Sequence, residues 1–203
     1  QTIDINDRMP RAPTIPDAAP STDADPAPVP VRMLAVADFA FTNPVATTTV
    51  LLKRRLFEEV GGFDQQFRGP EDYDLWLRVA AHGAVGKVES PVSKYRQEIG
   101  SLSMDDRKFL PQVLGVVDKA YGPGGVLRGL GNRRHARGYQ FESCSWMAYC
   151  RDAFGQALWL LFRSFLSWPL PLNTTQTKAV RFKLLYRYLR GIFEYFGKRI
   201  INS

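Results

Sequence analysis

The sequence has few of the residues that form metal centres and disulfides. Its 203 residues include two cysteines and two histidines, and it contains no Cys-x-x-Cys pair. Cys144 and Cys150 are six residues apart within one predicted helix, where positions i and i+6 point to different sides, so a bridge between them is unfavourable. His82 and His135 lie far apart in the sequence. We therefore expect neither a zinc site nor a disulfide framework, which fits a reducing compartment.

A long apolar run is also missing. The longest, residues 157–162, is far shorter than the roughly 18–20 residues that a membrane-spanning helix needs. The chain starts Gln-Thr-Ile-Asp-Ile-Asn-Asp-Arg, with neither an initiator methionine nor a signal-peptide pattern. We interpret this start as the end of a strand and a turn, so that the chain begins in the middle of a domain.

Composition and charge leave three classes of partner open. Hydrophobic residues make up 45% and charged residues 23%, values typical of a soluble globular domain. The net charge of +7 permits binding to nucleic acid, to an anionic membrane surface or to phosphorylated small molecules. The most basic stretch is 178–199, and no nucleic-acid motif accompanies it. We therefore expect no nucleic-acid partner.

Residues 1–30 are predicted to be a flexible segment rich in Pro, Ala and Asp. Such a composition buries too little apolar surface to offset the entropy of ordering the chain. Within it, Asp23 and Asp25 form a D-x-D triplet, which can bind a metal and a nucleotide diphosphate when it ends a strand. No apolar strand precedes this triplet and Pro26 follows it. A solvated loop is therefore the favoured interpretation.

The middle of the chain alternates between strand and helix patterns. The β-branched run at 45–52 predicts a buried strand, and a short helix at 53–59 is ended by two glycines. Pro70 suits the first turn of a helix that ends near residues 82–83. Further along we predict two short strands and one helix, at residues 84–89, 91–96 and 104–120.

The pattern becomes purely helical after a Gly- and Pro-rich break at 121–125. Helices are predicted at 133–151, 153–167 and 177–197. The first two are expected to pack as an antiparallel hairpin.

Two adjacent carboxylates, Glu71 and Asp72, fall at the predicted start of the helix after Pro70. One interpretation is that both merely cap the helix, since its dipole stabilises acidic side chains there. The other is catalysis, because a rigid, well-packed helix suits a catalytic group. Sugar transfer with inversion needs one such carboxylate as general base, to take the proton from the attacking hydroxyl.

Four ordered blocks of sequence carry a family resemblance. They are Asn-Pro-Val-Ala-Thr-Thr-Thr-Val-Leu-Leu-Lys-Arg at 43–54, Val-Gly-Gly-Phe-Asp at 60–64, Gly-Pro-Glu-Asp-Tyr-Asp-Leu-Trp-Leu-Arg at 69–78, and Tyr95-Arg96 followed by Gly-Ser-Leu-Ser at 100–103. Together, over about residues 40–104, they resemble family 2 glycosyltransferases of the GT-A fold.

The resemblance implies an α/β fold. Residues 31–121 would form a partial GT-A domain, the C-terminal, acceptor-side half of this Rossmann-like fold. An all-α helical extension would follow at 126–203.

The resemblance also implies roles for individual residues. Asp72 is the preferred general base and Glu71 a neighbour that orients the acceptor, and the assignment between the two stays open. The Gly-Gly-Phe-Asp turn is similar to the loop beside the acceptor site, which makes Gly62 and Asp64 substrate-binding candidates. A solvated turn acid is an equal alternative for Asp64.

Three more residues join the substrate-binding set. Thr48 lies in the first block. Trp76 can stack on a sugar, although packing in the core is the favoured alternative because it lies in an apolar helix. Arg96 can meet the diphosphate, and a surface or ion-paired arginine is an equal alternative.

The implied activity is that of an inverting hexosyltransferase. Its donor would be a nucleotide-diphosphate sugar, and its acceptor a glycan, a lipid or another hydroxyl. The resemblance implies a divalent metal, Mn or Mg, whose main ligand motif lies in a nucleotide-binding half that is not visible in this sequence. Residues 1–9 resemble the stretch that follows this motif. We therefore expect a truncated chain that is inactive alone.

The alternative function is a non-catalytic docking module on a degenerate transferase remnant. In the segment 178–199, apolar residues recur with helical spacing and the basic residues fall mainly elsewhere. Such a helix fits peripheral contact with an anionic membrane, or packing on the 133–167 pair with a solvated basic face. The expected location is the cytoplasm. The same helix also allows the protein to associate with the cytoplasmic face of a membrane.

Overall fold

The computed structural model describes residues 29–90, 92–93, 104–172 and 180–201, with the side chains of the last helix described as far as Tyr195. Several predictions lie outside these residues: the flexible segment 1–30 except its last two residues, the D-x-D triplet within it, most of the strand at 91–96, and Arg96.

The described residues form two strands and six α-helices. Short 3-10 turns lie at Val36–Phe39 and Thr47–Thr49. The strands and helices are β1 (Val31–Leu34), α1 (Arg54–Glu59), α2 (Glu71–His82), β2 (Val85–Val88), α3 (Asp106–Tyr121), α4 (Arg133–Cys150), α5 (Phe154–Ser167) and α6 (Val180–Ile201). This order confirms the predicted fold class, a small α/β part followed by a helical region.

The sheet consists of β1 and β2, which pair antiparallel with Val31 opposite Val88 and Leu34 opposite Val85. The predicted strand at 84–89 is therefore confirmed. Leu34 is buried, whereas the other residues of β1 are exposed. β1 therefore contributes only Leu34 to the core.

The strand predicted at 45–52 is wrong. This segment contains the 3-10 turn Thr47–Thr49, and Leu51 is fully exposed. The Thr49 hydroxyl donates to the Ala46 carbonyl at 2.7 Å, and its backbone N–H donates to the same oxygen at 2.9 Å. Threonine hydroxyls that bond to nearby groups compete with a strand ladder, and here they fold the run into a turn.

The helix predictions agree with the structure to within a few residues. α1 ends where Gly61 and Gly62 adopt φ of 83° and 65°, a left-handed conformation that favours glycine. Asp105 and Asn132 cap α3 and α4, since their side chains accept from the backbone N–H of Arg107 at 3.2 Å and of Arg134 at 2.9 Å.

The predicted hairpin of α4 and α5 is confirmed. The Arg134 side chain at the start of α4 donates to the Leu166 carbonyl at the end of α5, at 3.3 Å. The Ser164 hydroxyl donates to the Gly138 carbonyl at 2.8 Å. The two helices are therefore antiparallel. Cys144 and Cys150 on α4 are both buried, and no disulfide joins them.

α6 packs back across this hairpin. Its Phe182 ring lies 5.6 Å from Phe165 on α5, and its Tyr195 ring lies 5.5 Å from Phe154 at the other end of α5. α6 is therefore antiparallel to α5. Tyr188 is fully buried, and its hydroxyl lies 2.9 Å from the Ser145 hydroxyl on α4. Among the described residues, no helix combines the length and the apolarity of a membrane span.

Side chains from three helices donate hydrogen bonds to the consecutive carbonyls of residues 39–41. The Tyr73 hydroxyl on α2 donates to the Phe39 carbonyl at 2.6 Å, and the Tyr121 hydroxyl on α3 donates to that of Ala40 at 3.2 Å. The Gln140 amide on α4 donates to the Phe41 carbonyl at 2.6 Å. Burial raises the pKa of Tyr121 to about 12, so its hydroxyl keeps the proton that it donates. The loop is thus fixed just before Asn43, where the candidate site begins.

Candidate active site

A cleft of about 500 Å³ opens between the 3-10 turn Thr47–Thr49, the loop after α1 and the start of α2. Aromatic rings and polar side chains share its wall, as in many small-molecule sites. The lining residues are Thr47, Phe63, Asp64, Gln65, Phe67, Arg68, Gly69, Glu71 and Asp72.

Asp72 is held in the cleft wall by side chains from a distant part of the chain. Its Oδ2 accepts from the Thr47 hydroxyl at 2.6 Å and from the Asn43 amide at 3.1 Å. Its Oδ1 accepts from the N–H of Tyr73 at 2.7 Å. Asn43 is itself fixed, because its Oδ1 accepts from the N–H of Val45 at 3.1 Å. The carboxylate is therefore oriented both by the segment 43–47 and by the backbone at the start of α2.

Glu71 sits beside Asp72 at the first position of α2. Its carboxylate accepts a hydrogen bond from the N–H of Gly69. Gly69 has a φ of 106°, which other residues rarely adopt, so the Gly-Pro approach to the helix depends on this glycine. Both acids thus cap local backbone groups, and both also line the cleft.

Asp64 joins the same cleft through an ion-pair network. Its Oδ2 lies 2.7 Å from Nζ of Lys119 on α3, and its Oδ1 accepts from the N–H of Gln66 at 2.9 Å. The hydrogen bond from Lys119 lowers the pKa of Asp64. Lys119 also lies 2.7 Å from the buried carboxylate of Asp74, which Arg78 holds at 2.7 Å. α3 thereby fixes the turn that carries Asp64, which argues against a freely solvated turn acid.

The structure brings together three of the predicted site residues: Asp64, Glu71 and Asp72. Gly62 does not line the cleft. It ends α1, since its N–H donates to the Phe57 carbonyl at 2.9 Å and a side chain there would meet the Phe57 ring at 3.1 Å. Its role here is to direct the chain into the loop of Asp64.

Two of the predicted substrate contacts lie outside the cleft. The ring of Trp76 is 6% exposed in the core and does not line the cleft, so the core-packing alternative is the one that the geometry supports. Thr48 is exposed and lies outside the lining, whereas Thr47 carries the hydroxyl that reaches Asp72. Thr47, and not Thr48, is therefore the threonine that contacts Asp72.

Sequence reasoning missed Thr47 and Asn43. Both lie in the block at 43–54 that carries the resemblance, so the signal was present. A strand prediction for this run gives Thr47 and Thr48 opposite faces, and only the observed turn shows which of them faces α2.

The described residues do not fit a metal centre. Among them, no group of three or more His, Cys, Asp or Glu side chains is placed to hold a metal ion. Two neighbouring acids, Asp64 and Asp74, are both bound to Lys119. We derive no step of the reaction through a metal.

The profile of the family described as glycosyltransferase like family 2 matches residues 31–123. This part of the chain is therefore similar to the family 2 glycosyltransferases. The matched glycosyltransferase segment includes every residue that lines the cleft, and the match supports glycosyl transfer as a general activity. α4, α5 and α6 lie beyond the match. No curated protein and no solved structure matches the chain.

Proposed function

We propose that the protein transfers a hexose from a nucleotide-diphosphate donor to an acceptor hydroxyl with inversion, using Asp72 as general base. The observation that carries this proposal is the fixed carboxylate of Asp72 in the cleft wall, held by Asn43 and Thr47. A base must be within hydrogen-bonding reach of the proton that it takes, and such fixation places it there before the acceptor binds.

The remaining hydrogen-bonding capacity of Asp72 suggests which atom takes the proton. A carboxylate has about four acceptor sites. Oδ2 already accepts from Asn43 and Thr47, and Oδ1 accepts from the N–H of Tyr73. The second site on Oδ1 is therefore the one that we assign to the acceptor hydroxyl.

The proposed reaction is a single displacement. The acceptor hydroxyl gives its proton to Oδ1 of Asp72 while its oxygen bonds to the anomeric carbon of the donor. The bond from this carbon to the phosphate oxygen breaks on the opposite side, and the nucleoside diphosphate leaves with the electron pair. One displacement of this kind inverts the anomeric configuration.

Other lining residues suit the two substrates. Glu71 and Asp64 can accept from further hydroxyls of the acceptor, and Phe63, at 39% exposed, offers it an apolar face. Arg68 brings a positive charge to the cleft, and its backbone is fixed by a hydrogen bond from its N–H to the Gln112 side chain at 3.0 Å. We assign it to the charge that develops on the leaving diphosphate.

The first test of this arrangement is Thr47→Val. This substitution removes the hydrogen bond from the Thr47 hydroxyl to the Asp72 carboxylate. Hydrogen bonds to charged groups contribute about 1.5 to 3 kcal/mol. We expect kcat to fall about tenfold to a hundredfold, with KM little changed, because Thr47 orients the base and does not bind the acceptor. The assay measures acceptor-dependent release of nucleoside diphosphate from a panel of sugar nucleotides, using the protein isolated from its source cells.

The neighbouring threonine supplies the matched control. Thr48→Val alters an exposed hydroxyl of the same turn and should leave kcat unchanged. Thr47→Ser keeps the hydroxyl and should recover most of the activity. Equal effects of Thr47→Val and Thr48→Val would mean that the hydrogen bond to Asp72 does not matter to catalysis.

The alternative function, a docking module on a degenerate remnant, makes the opposite prediction for this site. On that account neither Thr47→Val nor any change at Asp72 affects the protein's activity. The ordered contacts of Asp72 favour the enzyme, since a degenerate site has no use for a carboxylate that two segments orient.

A further inference from the structure

α6 has three distinct faces. The first is buried against α4 and α5 and includes Arg181 and Tyr188. The second is an exposed apolar stripe, called the α6 stripe, whose residues are three or four positions apart. Its members are Phe182, Tyr186, Leu189 and Phe193. The third face is basic, with Lys183, Arg187 and Arg190 all exposed. Phe182 contacts Phe165 of α5, yet all four side chains stay exposed, so packing in the core does not explain the α6 stripe.

The exposure of the α6 stripe is large. Phe193 is 77% exposed and Tyr186 is 68% exposed. α5 carries a second stripe, the α5 stripe, formed by Trp159, Phe162 and Leu166, which are all more than half exposed. Its two rings stack at 5.7 Å. Aromatic side chains exposed in this number on two helices mark an interaction surface.

The two stripes lie on neighbouring helices and face away from α4. On α5, Ser164 contacts Gly138 of α4, and the α5 stripe lies about half a helical turn away from Ser164. On α6, Tyr188 contacts Ser145 of α4, and the α6 stripe is again on a different side. Since α5 and α6 are antiparallel neighbours, both stripes border the outer surface of the helix pair.

The charge around this surface is positive. Lys183, Arg187 and Arg190 flank the α6 stripe, and the acid on the same side of the helix, Glu194, pairs with Arg190 at 2.7 Å. Residues 126–203 contain 13 Lys and Arg against 3 Asp and Glu, a net charge of +10. Residues 1–125 contain 14 Lys and Arg against 17 Asp and Glu, a net charge of −3. The positive charge of the chain is therefore concentrated in its helical part.

We infer that the α5 and α6 stripes bind an anionic membrane surface, with the aromatic rings at the headgroup level and the basic face of α6 toward the lipid phosphates. Aromatic residues beside Lys and Arg are the composition that favours the membrane interface. Apolar burial and electrostatic attraction to anionic lipids act together there. This inference does not depend on the proposed transferase activity.

Sedimentation with lipid vesicles tests it on the full chain. We expect binding to vesicles of phosphatidylcholine mixed with phosphatidylglycerol, weaker binding at high salt, and little binding to phosphatidylcholine alone. Tyr186→Ser with Phe193→Ser should weaken binding by about tenfold or more, since each ring loses its apolar burial. Lys183→Gln with Arg187→Gln should weaken it by about fivefold for each charge removed, and only on the anionic vesicles.

Matched controls come from exposed residues outside the two stripes. Leu51→Ser with Leu130→Ser removes exposed apolar side chains, and Lys53→Gln with Arg54→Gln removes exposed charges, both outside the two stripes. These variants should bind as the wild type does. Circular dichroism should show unchanged melting for all four, because every altered side chain is exposed.

Three results would overturn the inference. The first is no sedimentation with the anionic vesicles. The second is equal binding by the stripe variant and its control. The third is a dimer in solution that the stripe variant dissociates while vesicles capture neither, which would make a second copy of the chain the partner. A catalytically dead Asp72 variant should still sediment, so failure of the transferase proposal is distinguishable from failure here.

Discussion

Arg151→Met is expected to lower the free energy of unfolding by about 3 to 5 kcal/mol. Asp106, at the start of α3, is completely buried. Its Oδ1 accepts from Arg151 Nη2 at 2.5 Å and Nε at 3.0 Å, at the end of α4. Methionine keeps much of the length of arginine and no charge, so the variant leaves the Asp106 carboxylate buried without its partner. Urea or thermal unfolding measures the loss.

The pair has two informative controls. Asp106→Asn combined with Arg151→Met removes both charges and should recover more than half of the loss. Arg133→Met breaks a partly exposed pair with Asp118, in which Arg137 also takes part, and should cost less than about 1 kcal/mol. A double variant as unstable as Arg151→Met alone would show that the loss comes from packing and not from the stranded charge.

The ion pair of Asp106 and Arg151 also connects two parts of the chain. α3 lies within the residues matched to the glycosyltransferase family, and α4 lies beyond them. The ion pair of Arg151 with Asp106 joins α4 to the matched segment. The ion pairs of Asp118 and the hydrogen bond from Gln140 to Phe41 do the same. We therefore expect Arg151→Met to loosen the helical part and the glycosyltransferase segment in a single unfolding transition.

Asp72→Asn is expected to reduce kcat/KM by about 10² to 10⁴. The amide has the shape of the carboxylate and cannot take the proton of the acceptor hydroxyl. The loss should appear in kcat, because the group acts in the transition state. The assay is the acceptor-dependent release of nucleoside diphosphate described above, with thermal melting as the test of folding.

Glu71 and Glu58 provide the comparison for Asp72→Asn. Glu71→Gln should raise KM more than it lowers kcat if Glu71 only orients the acceptor. Glu58→Gln changes an exposed acid on α1 and should leave both constants unchanged. A larger fall in kcat for Glu71→Gln than for Asp72→Asn would exchange the two roles. Full activity of the combined Glu71→Gln and Asp72→Asn variant would remove both from the mechanism.

The helices were predictable because their patterns are local. Apolar spacing indicated α2 to α6, while Gly61 and Gly62 marked the end of α1 and Pro70 the start of α2. The run at 45–52 failed because its threonines satisfy hydroxyl and backbone bonds within a turn. A β-branched composition does not reveal that use.

The site was predictable in its acids and not in their partners. Glu71, Asp72 and Asp64 stand in recognisable blocks. The contacts that fix them join residues far apart in the chain, such as Lys119 with Asp64 and Thr47 with Asp72. Sequence spacing carries no information on such pairs. Trp76 shows the reverse case, because its place in an apolar helix already favoured core packing, and its side chain is buried.

The stereochemistry of transfer tests the account most directly. In the proposed mechanism one carboxylate, Asp72, promotes a single displacement in the cleft. Proton NMR of the fresh product, made with the donor that the panel identifies, reports the anomeric configuration. We predict a configuration opposite to that of the donor, with product formation lost in Asp72→Asn. A product that keeps the donor's configuration, or one that Asp72→Asn still forms at the wild-type rate, would contradict the account.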